Sequence, residues 1–187
     1  MRRDKALIPL AGKRLIEHVL DHLQGMSDDL FITTNQPGPL EDLQIRLVPD
    51  EIPGRGALYG LRTALQAARY DDVLIVACDM PFLQPGLIDH LLSLAGQADV
   101  IIPELDGKFE PMSALYRAST CLPEIDRALK EQRYRMISFF PGVSVLPLDP
   151  DVLDHYRLSF FNINTPEDIQ RAEDIISKSP SQKPRFN

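Results

Sequence analysis

The chain alternates between short apolar runs and segments in which apolar residues recur at helical spacing, over nearly its whole length. This pattern is typical of strand-then-helix units that build a mostly parallel sheet covered by helices, so the predicted fold class is α/β. The apolar runs predict strands at 30–34, 45–48, 73–78, 99–102, 112–116, 143–146 and 160–164. Helical spacing predicts helices over 15–23, 58–68 and 87–94, with further helices whose first turns contain Pro123 and Pro166.

The last predicted helix has the clearest start. Thr165 can cap it, Pro166 can occupy its first turn, and Asp168 supplies an acidic side chain three places after the cap. The segment 178–187 contains Ser, Pro and Lys without periodicity, so we predict a disordered tail there. The rest of the chain, 1–177, is predicted to be a single domain.

The start of the chain does not follow the repeating pattern. A chain of strand-then-helix units should open with a strand, but this one opens with a polar segment and a helix. The apolar residues 6–8 are few and are closed by Pro9. Either the fold begins in a loop, or a first strand lies upstream of Met1.

Composition narrows the classes of protein. With 187 residues, 44% hydrophobic and 25% charged, the chain fits one globular domain with a sizeable core. A net charge of -7 and a pI near 5.1 argue against nucleic-acid and anionic-membrane partners, although a local basic patch could still bind a phosphorylated small molecule. The two cysteines suit a reducing compartment, and no membrane span or signal core is visible, so we expect a cytoplasmic protein.

Asp79 is the first candidate for chemistry. It ends the apolar run 73–78 and is followed directly by Met80 and Pro81. In open α/β sheets ligands bind beyond the carboxyl ends of the strands, where a carboxylate can hold a metal ion against a phosphate. The alternative is that Asp79 only supports the start of the helix from Pro85 onward.

Several segments resemble, in order, the signature segments of the molybdenum cofactor guanylyltransferases. These segments are 1–7, 10–15, 56–61, 78–81 and 162–168. Each is weak alone, but together they extend from Met1 to about Ile176. The family belongs to the nucleotidyltransferases, so the resemblance implies a three-layer, Rossmann-like fold with a mostly parallel mixed sheet.

The activity implied by the resemblance is transfer of GMP from GTP to the terminal phosphate of molybdopterin, with Mg²⁺ as cofactor and pyrophosphate as product. In such a transfer a phosphate oxygen attacks the α-phosphorus in line, so the protein must position two anions and neutralise their charge. A cation and a metal-holding carboxylate are therefore required. The expected partners are GTP and molybdopterin as substrates, with molybdoenzymes or their chaperones as further candidates.

The resemblance assigns roles to individual residues. Lys5 matches the lysine that contacts the triphosphate, and Asp79 matches the metal-binding carboxylate, so these two form the predicted catalytic pair. Asn35 matches a nucleotide-contacting residue, and Asp50 matches an acidic residue that contacts the guanosine. The alternatives are a solvated lysine for Lys5 and ordinary turn residues for Asn35 and Asp50.

Two further pairs complete the predicted site. Asn162 and Asn164 occupy alternate positions of the strand predicted at 160–164, so both amides would face the metal or the substrate; their alternative role is to support the helix at 165. Gly56 and Gly60 match glycines that let the nucleotide approach the start of a helix, although tight packing would explain them nearly as well.

The chain also departs from the family pattern. The family's first strand and its phosphate loop, Leu-Ala-Gly-Gly-x-Ser-x-Arg-Met, should precede Met1, so we expect a sheet that lacks its first strand. Two alternatives follow: another nucleotidyltransferase, such as the related cytidylyltransferase, or a non-catalytic cofactor-binding remnant. The segment 78–81, Cys-Asp-Met-Pro, favours guanylyl transfer over the cytidylyltransferase, whose segment usually reads Asp-Gln-Pro.

Overall fold

The computed structural model describes residues 4–51 and 54–178, which form strands in a middle layer and helices on both sides. The strands are β1 (Pro9–Leu10), β2 (Lys13–Arg14), β3 (Phe31–Thr33), β4 (Arg46–Val48), β5 (Asp72–Val76), β6 (Val100–Ile102), β7 (Glu104–Leu105), β8 (Lys108–Phe109), β9 (Ser113–Arg117) and β10 (Val145–Pro147). The helices are α1 (Leu15–Leu23), α2 (Ala57–Ala67), α3 (Pro85–Ser93), α4 (Ala118–Lys130), α5 (Pro150–His155) and α6 (Pro166–Lys178).

The main sheet has four strands in the order β10-β6-β9-β5. Strand β10 is parallel to β6, and β9 runs antiparallel to both β6 and β5. The mixed sheet agrees with the expected fold class. All three residues of β6 are buried, because helices cover both faces of the sheet.

The two faces of the main sheet pack against different helices. Ala114 and Tyr116 of β9 belong to the core formed with α2 and α4, whereas Leu115 belongs to the core formed with α1 and α3. This alternation is the period-2 pattern of a strand covered on both sides. Each large apolar side chain buried in this way stabilises the fold by about 1.5–3 kcal/mol.

Strands β3 and β4 form a separate parallel pair. Near the ends of β5, the backbone bonds from Ala77 N–H to Met112 O and from Ala118 N–H to Asp71 O lie on the β9 side. Among the described residues no strand pairs with the other edge of β5. The middle layer is therefore interrupted between β5 and β3, as expected for a sheet that lacks one strand.

The prediction of a strand at 160–164 was wrong. Residues Arg157–Phe160 form a 3-10 helix, and 161–164 is irregular. The aromatic and alternating residues of this segment favour a strand. However, Ile163 N–H donates to the carbonyl of Asp79 at 3.0 Å, and Asp79 lies in the loop beyond the end of β5. No strand that the structure describes pairs with this segment, so it does not extend a sheet.

The helix predicted around Pro123 starts one turn earlier than expected. The N–H groups of Ala118 and Ser119 donate to the carbonyl and the carboxylate of Asp71, respectively, which fixes the start of α4 at Ala118. Pro123 therefore lies inside the helix rather than in its first turn.

At the other end of the chain, α6 has the predicted start. Thr165 Oγ1 accepts from Asp168 N–H at 3.2 Å, and the Asp168 carboxylate accepts from Thr165 N–H at 2.9 Å. Lys178, assigned to the predicted tail, is instead the last residue of α6. The remainder of that tail, 179–187, lies outside the described residues. None of the helices in the described ranges is long and apolar enough to cross a membrane.

Candidate functional site

A cavity of about 880 Å³ lies between β3 and β5 and is also lined by residues of α1 and α2. Much of its wall is apolar, but one set of polar and glycine residues also lines it. This set includes Asn35, Asp50, Gly56, Gly60, Asp79, Asn162 and Asn164. The cavity thus brings together every predicted site residue except Lys5, which hydrogen-bonds to two of the set.

Lys5 joins two oxygen donors at the cavity. Its Nζ lies 2.8 Å from Asp79 Oδ2 and 2.5 Å from Asn164 Oδ1. Lys5 begins a short 3-10 helix that is capped by Asp4, whose carboxylate accepts from Ala6 N–H at 3.1 Å. The lysine side chain is 39% exposed and that of Asp79 only 15%, so the cation approaches a largely covered carboxylate from the solvent side.

The two asparagines reach the cavity because Ile163 between them is anchored. Ile163 is 1% exposed and packs in a small core with Leu10 and Leu15, while its N–H bonds to the Asp79 carbonyl. Asn162 and Asn164 line the cavity on either side of this anchor. Both asparagines thus line one cavity, although the strand predicted to carry them does not exist; that they contact the metal or the substrate stays a prediction.

Asp168 fixes the backbone directly after Asn164. Its Oδ2 accepts from the N–H groups of Asn164 and Thr165 at 3.0 and 2.9 Å. These bonds hold the pKa of the Asp168 carboxyl below its usual value. A negative carboxylate therefore stabilises the start of α6 and the backbone that presents Asn164.

Asn35 and Asp50 form a second polar pair at the cavity. Asn35 follows β3 and Asp50 follows β4, and because these strands are parallel their carboxyl ends meet at one edge. Asn35 Nδ2 donates to Asp50 Oδ2 at 2.7 Å. The other carboxylate oxygen lies beside Gly60 of α2, where an added Cβ would come within 3.8 Å.

Gly56 is the N-cap of α2 and has a φ of 96°, a conformation that other residues rarely adopt. No side chain caps this helix end. An added Cβ at Gly56 would meet no atom of the described residues within 4 Å, so backbone conformation rather than tight packing requires glycine there. At Gly60 the added Cβ would make only ordinary contact.

The donor set fits a magnesium ion. Mg²⁺ in nucleotide sites takes one or two protein carboxylates and completes its octahedron with water and phosphate oxygens. Asp79 supplies one carboxylate and Asn164 an amide oxygen, and both oxygens already face a single cationic atom. The described ranges contain no group of three or more His, Cys, Asp or Glu side chains that could hold a metal without such exogenous ligands.

Cys78 also lines the cavity, next to Asp79. Burial, together with the Asp79 charge, raises the pKa of its thiol to about 11. A thiol in this state is a poor nucleophile at neutral pH, so the site does not favour covalent cysteine catalysis.

Sequence reasoning missed several titratable residues that line the cavity: Asp29, Tyr70, Asp72 and Glu110. Glu110 lies in the connection from β8 to β9. It is half-buried and lines the same cavity, and desolvation raises the pKa of its carboxyl. In the sequence, Pro111 after it indicates a turn, but no local pattern indicates that β9 carries this turn alongside β5. The antiparallel pairing of Val76 with Ser113 brings it there.

Residues 1–140 match the family model described as a MobA-like NTP transferase domain. The chain belongs to this family. A relative from Natranaerobius thermophilus, described as a probable molybdenum cofactor guanylyltransferase, is 31% identical over 96% of this chain and 91% of its own length. A relative from Carboxydothermus hydrogenoformans with the same description is 32% identical over 95% of this chain and 90% of its own length.

The fold is shared with a solved family member. The structure of molybdopterin-guanine dinucleotide biosynthesis protein A from Archaeoglobus fulgidus is similar to this chain at a TM-score of 0.78 and 29% identity, over 95% of this chain and 93% of the other. The expected Rossmann-like nucleotidyltransferase fold is thereby confirmed.

Proposed function

We propose that this chain transfers GMP from GTP to molybdopterin, forming the guanine dinucleotide cofactor and pyrophosphate. Its membership of the family and the descriptions of its relatives support this activity. The structural observation that carries the proposal is the contact of Lys5 with both Asp79 and Asn164 at a cavity that Asn35 and Asp50 also line. This contact supports the proposal, because a cation, a carboxylate and amide groups beside one cavity could hold a nucleoside triphosphate.

In the proposed reaction a terminal phosphate oxygen of molybdopterin forms a bond to the α-phosphorus of GTP. The bond from that phosphorus to the oxygen bridging to the β-phosphate breaks, and pyrophosphate leaves. Lys5 neutralises charge on the triphosphate, and Asp79 and Asn164 would hold Mg²⁺. The ion would act as a Lewis acid at the phosphate oxygens, and the chain's own part is positioning and charge neutralisation.

Asp50 is the proposed reader of guanine. A carboxylate can accept from the ring N–H and the exocyclic amino group of guanine, which are adjacent donors, whereas cytosine has no such pair of adjacent donors on its pairing edge. Asn35 donates to Asp50 and so orients this carboxylate. This reading favours guanylyl over cytidylyl transfer and agrees with the Cys-Asp-Met-Pro segment.

The proposed location of the protein is the cytoplasm. The free thiols of Cys78 and Cys121 and the use of GTP support a cytoplasmic location. The product would then pass to molybdoenzymes or to the chaperones that serve them.

The experiment that tests the proposal is calorimetric titration of the chain with GTP and Mg²⁺, with CTP as the comparison, followed by measurement of pyrophosphate release with molybdopterin. We expect saturable, Mg²⁺-dependent binding of GTP and at least about 10-fold weaker binding of CTP, because one charge-assisted bond to the base is lost. Preference for CTP would support the cytidylyltransferase instead. A folded chain that binds GTP and molybdopterin without releasing pyrophosphate would favour the non-catalytic alternative.

A further inference from the structure

Glu110 has a fixed backbone next to the proposed reaction centre. Its N–H donates to the carbonyl of Pro103 at 2.9 Å, and its own carbonyl accepts from Ser113 N–H at 3.0 Å. Two residues on, the carbonyl of Met112 accepts from Ala77 N–H at 2.8 Å. Residue 110 is thereby held alongside the segment that leads from β5 into Asp79.

The side chain of Glu110 has no hydrogen-bond or ion-pair partner among the residues that the structure describes. It is nevertheless half-buried and lines the cavity together with Met112, whose side chain offers an apolar, polarisable surface. Burying a carboxylate without a donor costs free energy, and desolvation accordingly raises its pKa. A ligand that supplies donors would relieve this cost.

Its location separates Glu110 from the proposed guanine reader. Asp50 and Asn35 follow β4 and β3 on one side of the cavity, whereas Glu110 precedes β9, on the other side of β5. Asp79 follows β5 itself and so lies between the two carboxylates along the sheet. The reaction joins two heterocycles through a chain of phosphates, so two readers on opposite sides of the metal ligand match the shape of the product.

We propose that Glu110 binds the pterin ring of the acceptor, accepting hydrogen bonds from its ring N–H and its exocyclic amino group. Pterin and guanine share a 2-amino-4-oxo-pyrimidine edge, and a carboxylate meets its two adjacent donors in a bidentate manner. Met112 would pack against the ring. This assignment rests on the proposed function, because it takes molybdopterin as the acceptor, and it makes Glu110 a residue that determines specificity for that substrate.

The first test compares binding of pterin with binding of lumazine, in which an oxo group replaces the 2-amino group, by fluorescence titration of the full chain. The unsubstituted chain should bind pterin at least about 10-fold more tightly than lumazine, because a carboxylate cannot pair with the second oxo group. Glu110→Gln should weaken pterin binding about 10-fold and remove or reverse the preference, because an amide can donate to that oxo group. Glu104→Gln is the matched control, since Glu104 is half-buried on the neighbouring hairpin but does not line the cavity.

A second test separates this assignment from a failure of the proposed function. In the complete reaction Glu110→Gln should raise KM for molybdopterin about 10-fold or more, with KM for GTP and the Mg²⁺ requirement unchanged. A changed Mg²⁺ requirement or weaker GTP binding would place Glu110 in the metal or nucleotide site and overturn the assignment. Equal binding of pterin and lumazine, or no binding of either by the folded chain, would overturn it too. A pterin preference that depends on Glu110 in a chain that releases no pyrophosphate would refute guanylyl transfer but not the pterin site.

Discussion

At the scale of single residues, the proposed chemistry depends most on Asp79, the only carboxylate of the described residues that contacts Lys5. Asp79→Asn keeps the size and one acceptor oxygen but removes the charge that would hold Mg²⁺ and pair with Lys5. We expect Mg²⁺-dependent turnover to fall by about 100-fold or more, as when one preorganised charge is removed from a phosphoryl-transfer site. Pyrophosphate release at saturating GTP measures this loss.

Asp89→Asn provides the control for this substitution. Asp89 is exposed on α3 and does not line the cavity, so its loss should leave turnover within about twofold, as for most surface substitutions. Unchanged turnover in Asp79→Asn would overturn the assignment of Asp79 as the metal ligand. A chain that unfolds on this substitution is detected by its circular dichroism before any assay.

Cys78 offers a prediction about pH. Its thiol pKa is raised to about 11 from an ordinary value of 9.0, so at pH 8 the folded chain should contain about 100-fold less thiolate than an unburied cysteine. The rate of reaction with a thiol reagent should be lower by a similar factor and should rise as pH approaches 11. Stopped-flow measurement on the Cys121→Ala variant isolates Cys78, and addition of denaturant should restore the ordinary rate. A fast reaction of the folded chain at pH 8 would contradict the burial of the Cys78 thiol on which this prediction rests.

The family resemblance, together with a position after an apolar run, points to three of the cavity residues, whereas residues placed by long-range pairing have no such local signal. Asn35, Asp50 and Asp79 each follow an apolar run, and the structure brings all three to one cavity. Glu110 reaches the same cavity only because β9 runs antiparallel to β5, a topology that no local pattern in the sequence indicates. Whether these residues perform the proposed roles stays a prediction.

At the scale of elements, the glycine that caps α2 and the glycine inside it should respond oppositely to substitution. Gly56→Ala forces a Cβ onto a φ of 96° and should lower the free energy of unfolding by about 1–2 kcal/mol. Gly60→Ala lies inside the helix, where the new Cβ meets Asp50 at an ordinary distance, and should raise it by about 0.4–1 kcal/mol. Urea unfolding of both variants measures the difference. A destabilised Gly60→Ala would show that closer packing at Asp50 decides the residue there.

The apolar part of the cavity, between β3 and β5 and away from the polar residues that follow their carboxyl ends, should accept an added strand. Both sides are strand edges, and α1 and α2 supply apolar walls, so a five-residue apolar strand fused ahead of the chain through a glycine linker could pair with both. Burying even two or three large side chains there would stabilise the fold by several kcal/mol, so we expect Tm to rise on the order of 5 °C or more. Differential scanning calorimetry with and without the fusion tests this.

The matched control carries proline at the centre of the fused strand. Proline removes one donor and fixes φ, so this variant should show little or none of the increase in Tm. An equal increase in both fusions would mean that the added residues pack elsewhere.

Element boundaries show where local patterns mislead. Residues 160–164 have the aromatic and alternating composition of a strand, yet Ile163 bonds to a loop carbonyl, and no strand in the described part of the chain pairs with this segment. Pro123 resembles a first-turn residue, but Asp71 caps the helix a turn earlier from a distant part of the chain. In both segments a tertiary hydrogen bond overrides a sound local preference.

At the scale of the whole molecule, binding of an anionic nucleotide to a chain of net charge -7 must depend on local groups rather than on the overall field. Lys5 supplies one such group, and the open N-terminus of α2 at Gly56 adds the partial positive charge of its N–H groups. Both lie at the cavity that separates β3 and β4 from the main sheet. Nucleotide binding should therefore stabilise the packing of the β3–β4 pair beside the main sheet.

Hydrogen exchange can test this coupling. Strands β6 and β9 are almost fully buried in the main sheet, whereas β3 and β4, within the described ranges, pair only with each other and are partly exposed. Without nucleotide, we expect amides of β3 and β4 to exchange at least about 10-fold faster than those of β6, through local opening. GTP and Mg²⁺ at 100 times the Kd stabilise the bound state by about 2.7 kcal/mol, so exchange from β3 and β4 should slow by up to about 100-fold. CTP at the same concentration is the control and should slow it less. Equal protection of β3 and β6 in the free chain would show instead that the sheet already unfolds as one unit across the cavity.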